Sequence, residues 1–180
     1  MEDVISISSD DLSVDNNLVS TGNKILSFTN VGEPLSLERH RFSNITKKMY
    51  NPAAKKQNDF GTNAKKILGL GDKDVPIFKK GTCLSVSLVF KLQRPKSHYV
   101  SNSPEKKQLK KNAPKQYHVA RKDLDNMIKF VLDSLNGILY KDDAQICIIN
   151  GTKIYANEDY NVGSTYVKLR AVDNDCIGLL

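Results

Sequence analysis

Residues 121–145 read RKDLDNMIKFVLDSLNGILYKDDAQ, and this stretch organises the rest of the chain. Its apolar residues Ile128, Val131, Leu132 and Leu135 recur at helical spacing, the pattern of a helix that buries one face. Asp125 is of the residue type that starts helices, and Gly137 of the type that ends them. The spacing therefore predicts a helix over 126–136, with Asp123 in extended chain ahead of its cap. Asn126, Lys129 and Asp133 follow at three- and four-residue steps, so they form a polar stripe on another face.

Acids are concentrated here in a basic protein: Asp123, Asp125 and Asp133, then the adjacent pair Asp142 and Asp143. Two unpaired carboxylates about 4 Å apart repel by roughly 4 kcal/mol at an effective dielectric of 20, so a close cluster needs a cation, a shared proton or wide spacing. A divalent ion would meet that need. Mg²⁺ takes oxygen ligands, keeps several waters and is commonly held by one or two carboxylates beside a substrate phosphate. Lys129, one turn into the helix, would then neutralise charge on a phosphate or leaving oxygen. Spacing alone leaves a plainer reading open: a capping aspartate, ordinary ion pairs of Lys129 with Asp125 and Asp133, and an Asp-Asp turn before a strand.

The run Asp123-Leu-Asp-Asn, then Lys129, Asp133, Leu135, Gly137 and Asp142-Asp143-Ala-Gln, resembles the signature of the RusA family of Holliday junction resolvases, which are metal-dependent endonucleases. Upstream, Gly32-Glu-Pro34, Arg39-His-Arg41-Phe, Tyr50-Asn-Pro52 and Arg94-Pro-Lys-Ser-His98-Tyr resemble that family too, as does Lys153-Ile-Tyr155 downstream. One departure is Arg121-Lys122 where many relatives have Lys-Pro, a change expected to matter little because a base is kept beside the acids. The resemblance implies Asp123, Asp125 and Asp143 as essential acids and metal ligands, Lys129 as their basic partner, and Mg²⁺ (with Mn²⁺ as substitute) as cofactor. Asp142 is a further candidate ligand, since neighbours in extended chain face opposite ways. It also implies branched DNA as substrate and a homodimer, because resolving a four-way junction takes two symmetry-related cuts.

Working outward, 180 residues suit one domain with a tail. Hydrophobic residues make up 39%, and no apolar run approaches bilayer length, which argues against a membrane role. The net charge is +7 and the isoelectric point about 9.2; the first fifteen residues hold acids and no bases, so the remaining body is more basic still. Such a surface attracts polyanions, nucleic acid first among them. Cys83, Cys147 and Cys176 form no zinc-ligand spacing and read as reduced thiols. With no secretory leader in view, an intracellular protein is expected: cytoplasmic in a prokaryote or virus-infected cell, nuclear in a eukaryote.

Residues 1–23 are rich in Ser, Asp and Asn and read as a disordered acidic tail. Within it Val4, Ile5 and Ile7, followed by Ser8-Ser9-Asp10-Asp11, resemble a SUMO-interacting peptide, a short apolar strand that would add to a partner's sheet edge. The domain is expected over 24–172, with 173–180 as a loose end. A first strand over 24–30 leads into a loop whose Arg39 and Arg41 suit a DNA phosphate clamp, though a solvated basic loop fits the same residues. A helix is expected over 52–70 and a strand over 82–92, the latter with Leu84, Val86, Leu88 and Phe90 on one face. Residues 93–122 read as a mobile basic loop that would close over phosphates through Arg94, Lys96, Lys110, Lys111, Arg121 and Lys122. Strands over 144–155 and 164–172 are expected to pair as a hairpin. Together these elements predict an α+β fold: a two-layer sandwich of a mixed β-sheet with helices on one face, RusA-like.

Two other classes fit parts of this pattern. A junction-binding protein without cleavage would keep the basic loop and need no ordered acids. An adaptor would act through the N-terminal peptide alone.

Overall fold

The computed structural model describes residues 24–100, 108–157 and 160–172. The tail at 1–23 with its SUMO-like peptide, the C-terminal segment 173–180 with Cys176, and Lys106 and Lys107 of the basic loop lie outside the described residues.

Among the described residues six strands and two α-helices follow in the order β1 (Ile25–Val31), β2 (Arg41–Ser43), β3 (Lys48–Tyr50), α1 (Ala54–Ile67), β4 (Leu84–Leu92), α2 (Leu124–Leu135), β5 (Ile146–Tyr155) and β6 (Ser164–Ala171). The main sheet has the order β1-β6-β4-β5, and β2 and β3 form a separate two-stranded sheet. β4 runs parallel to β5 and antiparallel to β6, so the sheet is mixed. The fold is α+β, as the residue pattern indicates.

Register explains the core. Phe28, Val167 and Leu88 face one another across β1, β6 and β4, and so do Leu26, Leu169 and Val86. These rows share one face, because alternate residues of a strand point the same way. The helices cover that face. Phe60 of α1 stacks edge-on against Phe130 of α2, centroids 5.9 Å apart, and contacts Phe28 at 6.4 Å; such aromatic pairs contribute about 0.5–1.5 kcal/mol beyond the area they bury. Two glycines permit the close approach. A Cβ on Gly61 would meet the Ser134 carbonyl oxygen at 2.6 Å, and one on Gly151 the Ile128 Cδ1 at 2.7 Å.

Four features depart from the sequence reading. β5 and β6 form no hairpin, since β4 lies between them; the connection passes the end of β4, where Ala156 N–H donates to Leu92 O at 2.7 Å. The short β2–β3 hairpin carries no clear sequence signal, having three residues per strand and little burial. Helix α2 starts at Leu124 with Asp123 as its N-cap, so Asp125 lies inside the first turn. Finally, the described part of the basic loop is tied down. It carries a bridge between Tyr99 and Leu109, and residues 116–118 bond to β5: His118 N–H donates to Lys153 O at 3.1 Å and Tyr155 N–H to Gln116 O at 2.8 Å.

Candidate active site

Asp123 and Asp125 owe their position to an unusual residue before them. Lys122 adopts a φ of +77°, a left-handed conformation that costs a non-glycine residue about 1 kcal/mol or more and persists where surroundings over-determine it. Three bonds do so here. Lys122 Nζ donates to Glu33 Oε1 at 2.8 Å and to Pro34 O at 2.7 Å, and Lys122 O accepts from Lys153 Nζ at 2.7 Å. Lys153 also holds Ala120 O at 3.1 Å. The kink turns the chain from the basic loop into α2. It also bears on the Lys-Pro of many relatives, because proline is held near φ −65° and cannot adopt this backbone. The departure at Lys122 thus matters locally, contrary to the expectation that a retained base would suffice.

Asp123 caps α2 through its backbone alone: its carbonyl accepts from Met127 N–H at 3.1 Å, and its carboxylate makes no capping bond. That removes the plain capping explanation for its side chain. Asp125 and Lys129 are exposed on the first and second turns, and among the described residues no ion pair joins Lys129 to Asp125 or Asp133. Asp133 accepts from Gln57 Nε2 at 3.2 Å instead. The first two turns therefore present two carboxylates and one ammonium group not paired with each other.

The adjacent acids divide their work. Asp142 caps a 3-10 turn over Asp143–Gln145 by accepting from Ala144 N–H at 2.9 Å. The Gln145 side chain closes that turn, accepting from Lys141 N–H at 3.0 Å and donating to Lys79 O at 2.8 Å. Among the described residues the Asp143 carboxylate accepts no such bond, and it is exposed. Its charge is felt by Tyr140, whose phenol is pushed well above the ordinary range by burial first, then by Asp143 and Asp133; the Tyr140 hydroxyl donates to Leu132 O at 2.8 Å.

The two acid sets stand apart. α2 has 12 residues, about 18 Å of helix, and its first turns lie over the middle of β5, with Leu124 and Ile128 against Gly151. Asp143 comes before β5 begins at Ile146, five strand steps or ~16 Å from Gly151. Among the described residues no group of three or more Asp, Glu, His or Cys is close enough to hold one metal. The oxygen donors suit a hard cation, yet one chain supplies at most the Asp123/Asp125 pair at one end and Asp143 with Asp142 at the other. Among the described residues, no three-acid metal site is assembled within a single chain.

The basic residues also sort into kinds. Arg39, Lys96, Lys110, Lys111 and Arg121 are exposed, as a phosphate-binding surface requires. Arg41 is exposed with one nitrogen on Glu38 at 3.1 Å, and Glu38 also pairs with Lys56 at 2.9 Å. Arg94 is the correction: only 6% exposed, it donates to Ala156 O at 3.2 Å, to Pro114 O at 2.6 Å and to Lys115 O, and its guanidinium lies 4.8 Å from the Tyr155 ring. It fastens the basic loop to the sheet and is not available to DNA. Lys122, committed to Glu33 and Pro34, likewise acts on the backbone. Residues to which the sequence alone assigns no role are Glu33, Lys153 and Gln145; they stand inside the Gly32-Glu-Pro34, Lys153-Ile-Tyr155 and Asp142-Asp143-Ala-Gln motifs, the signal by which they could have been found.

The family model described as "Endodeoxyribonuclease RusA" matches residues 32–168. A curated relative, "Uncharacterized protein YqaN" of Bacillus subtilis (strain 168), is 38% identical over 73 residues, 41% of this chain and 51% of that protein. The chain thus spans about half the length of that relative. The family match takes in the strained Lys122, the acid-bearing start of α2 and the capped turn before β5, and on that extent the chain belongs to the RusA endodeoxyribonuclease family.

Proposed function

We propose that the protein is a divalent-metal-dependent, structure-selective endonuclease that resolves four-way DNA junctions by paired phosphodiester hydrolysis in recombination and repair. The observation that supports this most is the Asp123 carboxylate, left without a capping bond at the end of a helix whose start is fixed by a strained residue and three hydrogen bonds. A purely structural N-cap would use that side chain.

Mg²⁺, or Mn²⁺ in its place, would supply charge neutralisation at the phosphate and an activated water. The chain's own residues supply the rest. Asp123, Asp125 and Asp143 are the oxygen donors, with Asp142 holding the turn that presents Asp143. Lys129 adds positive charge beside the phosphate, where developing negative charge is stabilised. Arg39, Arg41, Lys96, Lys110, Lys111 and Arg121 position the backbone of branched DNA. A homodimer gives the two symmetric cuts that a junction needs, and such a protein works on DNA inside a cell.

Incubation of a labelled four-way junction and a linear duplex of equal sequence, with Mg²⁺, Mn²⁺ or EDTA, tests it. Paired metal-dependent cuts in the junction alone are expected. Junction binding without cleavage under any metal would favour a non-catalytic junction-binding protein.

A further inference from the structure

We propose that Cys83 and Cys147 are a modification site: they form a reversible disulfide that staples the loop ahead of β4 to β5 and stiffens the turn over Asp142–Gln145. The site uses none of the acids assigned above and goes beyond the function proposed for them.

The backbone brings the two thiols together. β4 and β5 run parallel, with Leu84 opposite Ile146 but Ser85 opposite Ile148. Cys147 is therefore the extra residue of a bulge and has no partner on β4. A bulge bends its strand and re-aims a side chain. Cys83 stands just before β4 and 64 positions away in the chain, yet its Sγ lies 2.7 Å from the Cys147 Sγ. Both are free thiols, and at that separation they join without one strand moving past the other.

Gln145 connects this pair to the acidic turn. Its buried side chain donates to Lys79 O at 2.8 Å and to Thr82 O at 3.2 Å, in the loop that leads into Cys83. Its own carbonyl accepts from Cys147 Sγ at 3.5 Å. The loop and the turn are thus one hydrogen-bonded unit, around a cleft that Lys80, Asp142, Ala144 and both cysteines line. A covalent bridge closes that unit, four positions beyond Asp143.

The two thiols are unequal. Cys147 is exposed and Cys83 half-buried, and the Cys83 thiol is held above its ordinary range by its hydrogen bond with Cys147 first and then by burial. Cys147 is accordingly the sulfur that meets an oxidant, and Cys83 the one that resolves the product. With hydrogen peroxide as oxidant, the Cys147 thiolate attacks one oxygen, the O–O bond breaks, and the departing hydroxide leaves as water with the thiol's proton. Cys83 then attacks the sulfenic sulfur, the S–S bond forms, the S–O bond breaks, and a second water leaves with the Cys83 proton. Two thiols lose two electrons and two protons, and one peroxide becomes two waters. Exchange with a dithiol reverses the bridge.

The test uses the full chain, reduced, then treated with one equivalent of hydrogen peroxide. The expected product has lost two hydrogens in mass, and digestion without reductant yields the Cys83 and Cys147 peptides joined within one chain. Dithiothreitol restores both thiols. The oxidised protein melts roughly 5–10 °C higher, because the bridge closes a long loop of the unfolded chain. Amide exchange of residues 142–147 slows as well. Neither change occurs in Cys83→Ser or in Cys147→Ser. Cys147 carried on to a sulfinic acid beside a free Cys83, or a link to Cys176 or between two chains in its place, would overturn the site. A Cys83–Cys147 bridge that leaves exchange in the turn unchanged would overturn the stiffening. None of these readouts involves DNA, so the nuclease reading stands or falls separately.

Discussion

The start of α2 and the foot of β5 both present aspartates, and the chain builds them differently. At α2 the backbone is strained at Lys122 and held by bonds from Glu33, Pro34 and Lys153, three residues far away in sequence. At β5 the turn is satisfied almost locally, with Asp142 and Gln145 capping each other's ends and Lys79 tying it to the neighbouring loop. In both places a carboxylate is left over after the structural bonds are made: Asp123 because the backbone alone does the capping, Asp143 because Asp142 does. On the function proposed above, these two carboxylates are the ones free to meet a cation.

Substitutions in the second pair separate structural from chemical aspartates most strongly. Asp143→Asn is expected to lower junction cleavage by about 10²-fold or more with binding retained, and Asp125→Asn to do the same. Asp142→Ala is expected to cost about 1 kcal/mol of stability through the lost cap, with a much smaller effect on cleavage. Equal cleavage losses at 142 and 143, read beside their melting curves, would mean that the division of labour is wrong.

Next in size is the contrast within the basic loop. Arg94→Ala leaves three carbonyl acceptors without their partner and is expected to destabilise by about 3 kcal/mol, measured by denaturant unfolding. Lys96→Ala and Lys110→Ala, both exposed, are expected to stay within about 0.5 kcal/mol of wild-type stability. Each should instead flatten the logarithmic salt dependence of junction binding by about 0.9 for every phosphate it no longer neutralises.

The smallest expected effect is a pH dependence seated at the same fastening. His98 and His118 flank the Tyr155 ring at 5.1 and 4.7 Å, and both are held below the usual imidazole range. Burial is the main cause for each, followed by Arg94 and Lys110 for His98 and chiefly by Lys153 for His118. The unfolded chain therefore binds more protons in mildly acid solution, so stability is fully present above an imidazole's ordinary pKa near 6.5 and falls as pH drops below it. A lower melting temperature at pH 5.5 than at 7.5, reduced in His118→Gln, is the expected result; the opposite slope would contradict it.

Much of this is legible in the residues. The period of Ile128, Val131, Leu132 and Leu135 marks α2, and alternation in β4 marks its buried face, because both elements bury one side against the core. The acids stand out by type and order. The residue pattern puts the start of α2 two positions late because Asp123 and Asp125 are equally good capping types, and only the Lys122 kink decides between them. The expected hairpin of β5 with β6 fails because adjacency in sequence says nothing of β4, which inserts between them through pairings made across more than fifty residues. Arg94 looks like its basic neighbours; its burial depends on Tyr155 and the carbonyls of Pro114, Lys115 and Ala156, partners that no local pattern encodes.

The most direct test is cleavage of one labelled four-way junction in Mg²⁺ by the wild type and by Asp143→Asn at concentrations where both bind it. Paired cuts by the wild type and none by the variant are the expected result. Equal cutting by the two proteins would contradict the role of Asp143, and with it the reading of the unbonded carboxylates on which the site is built.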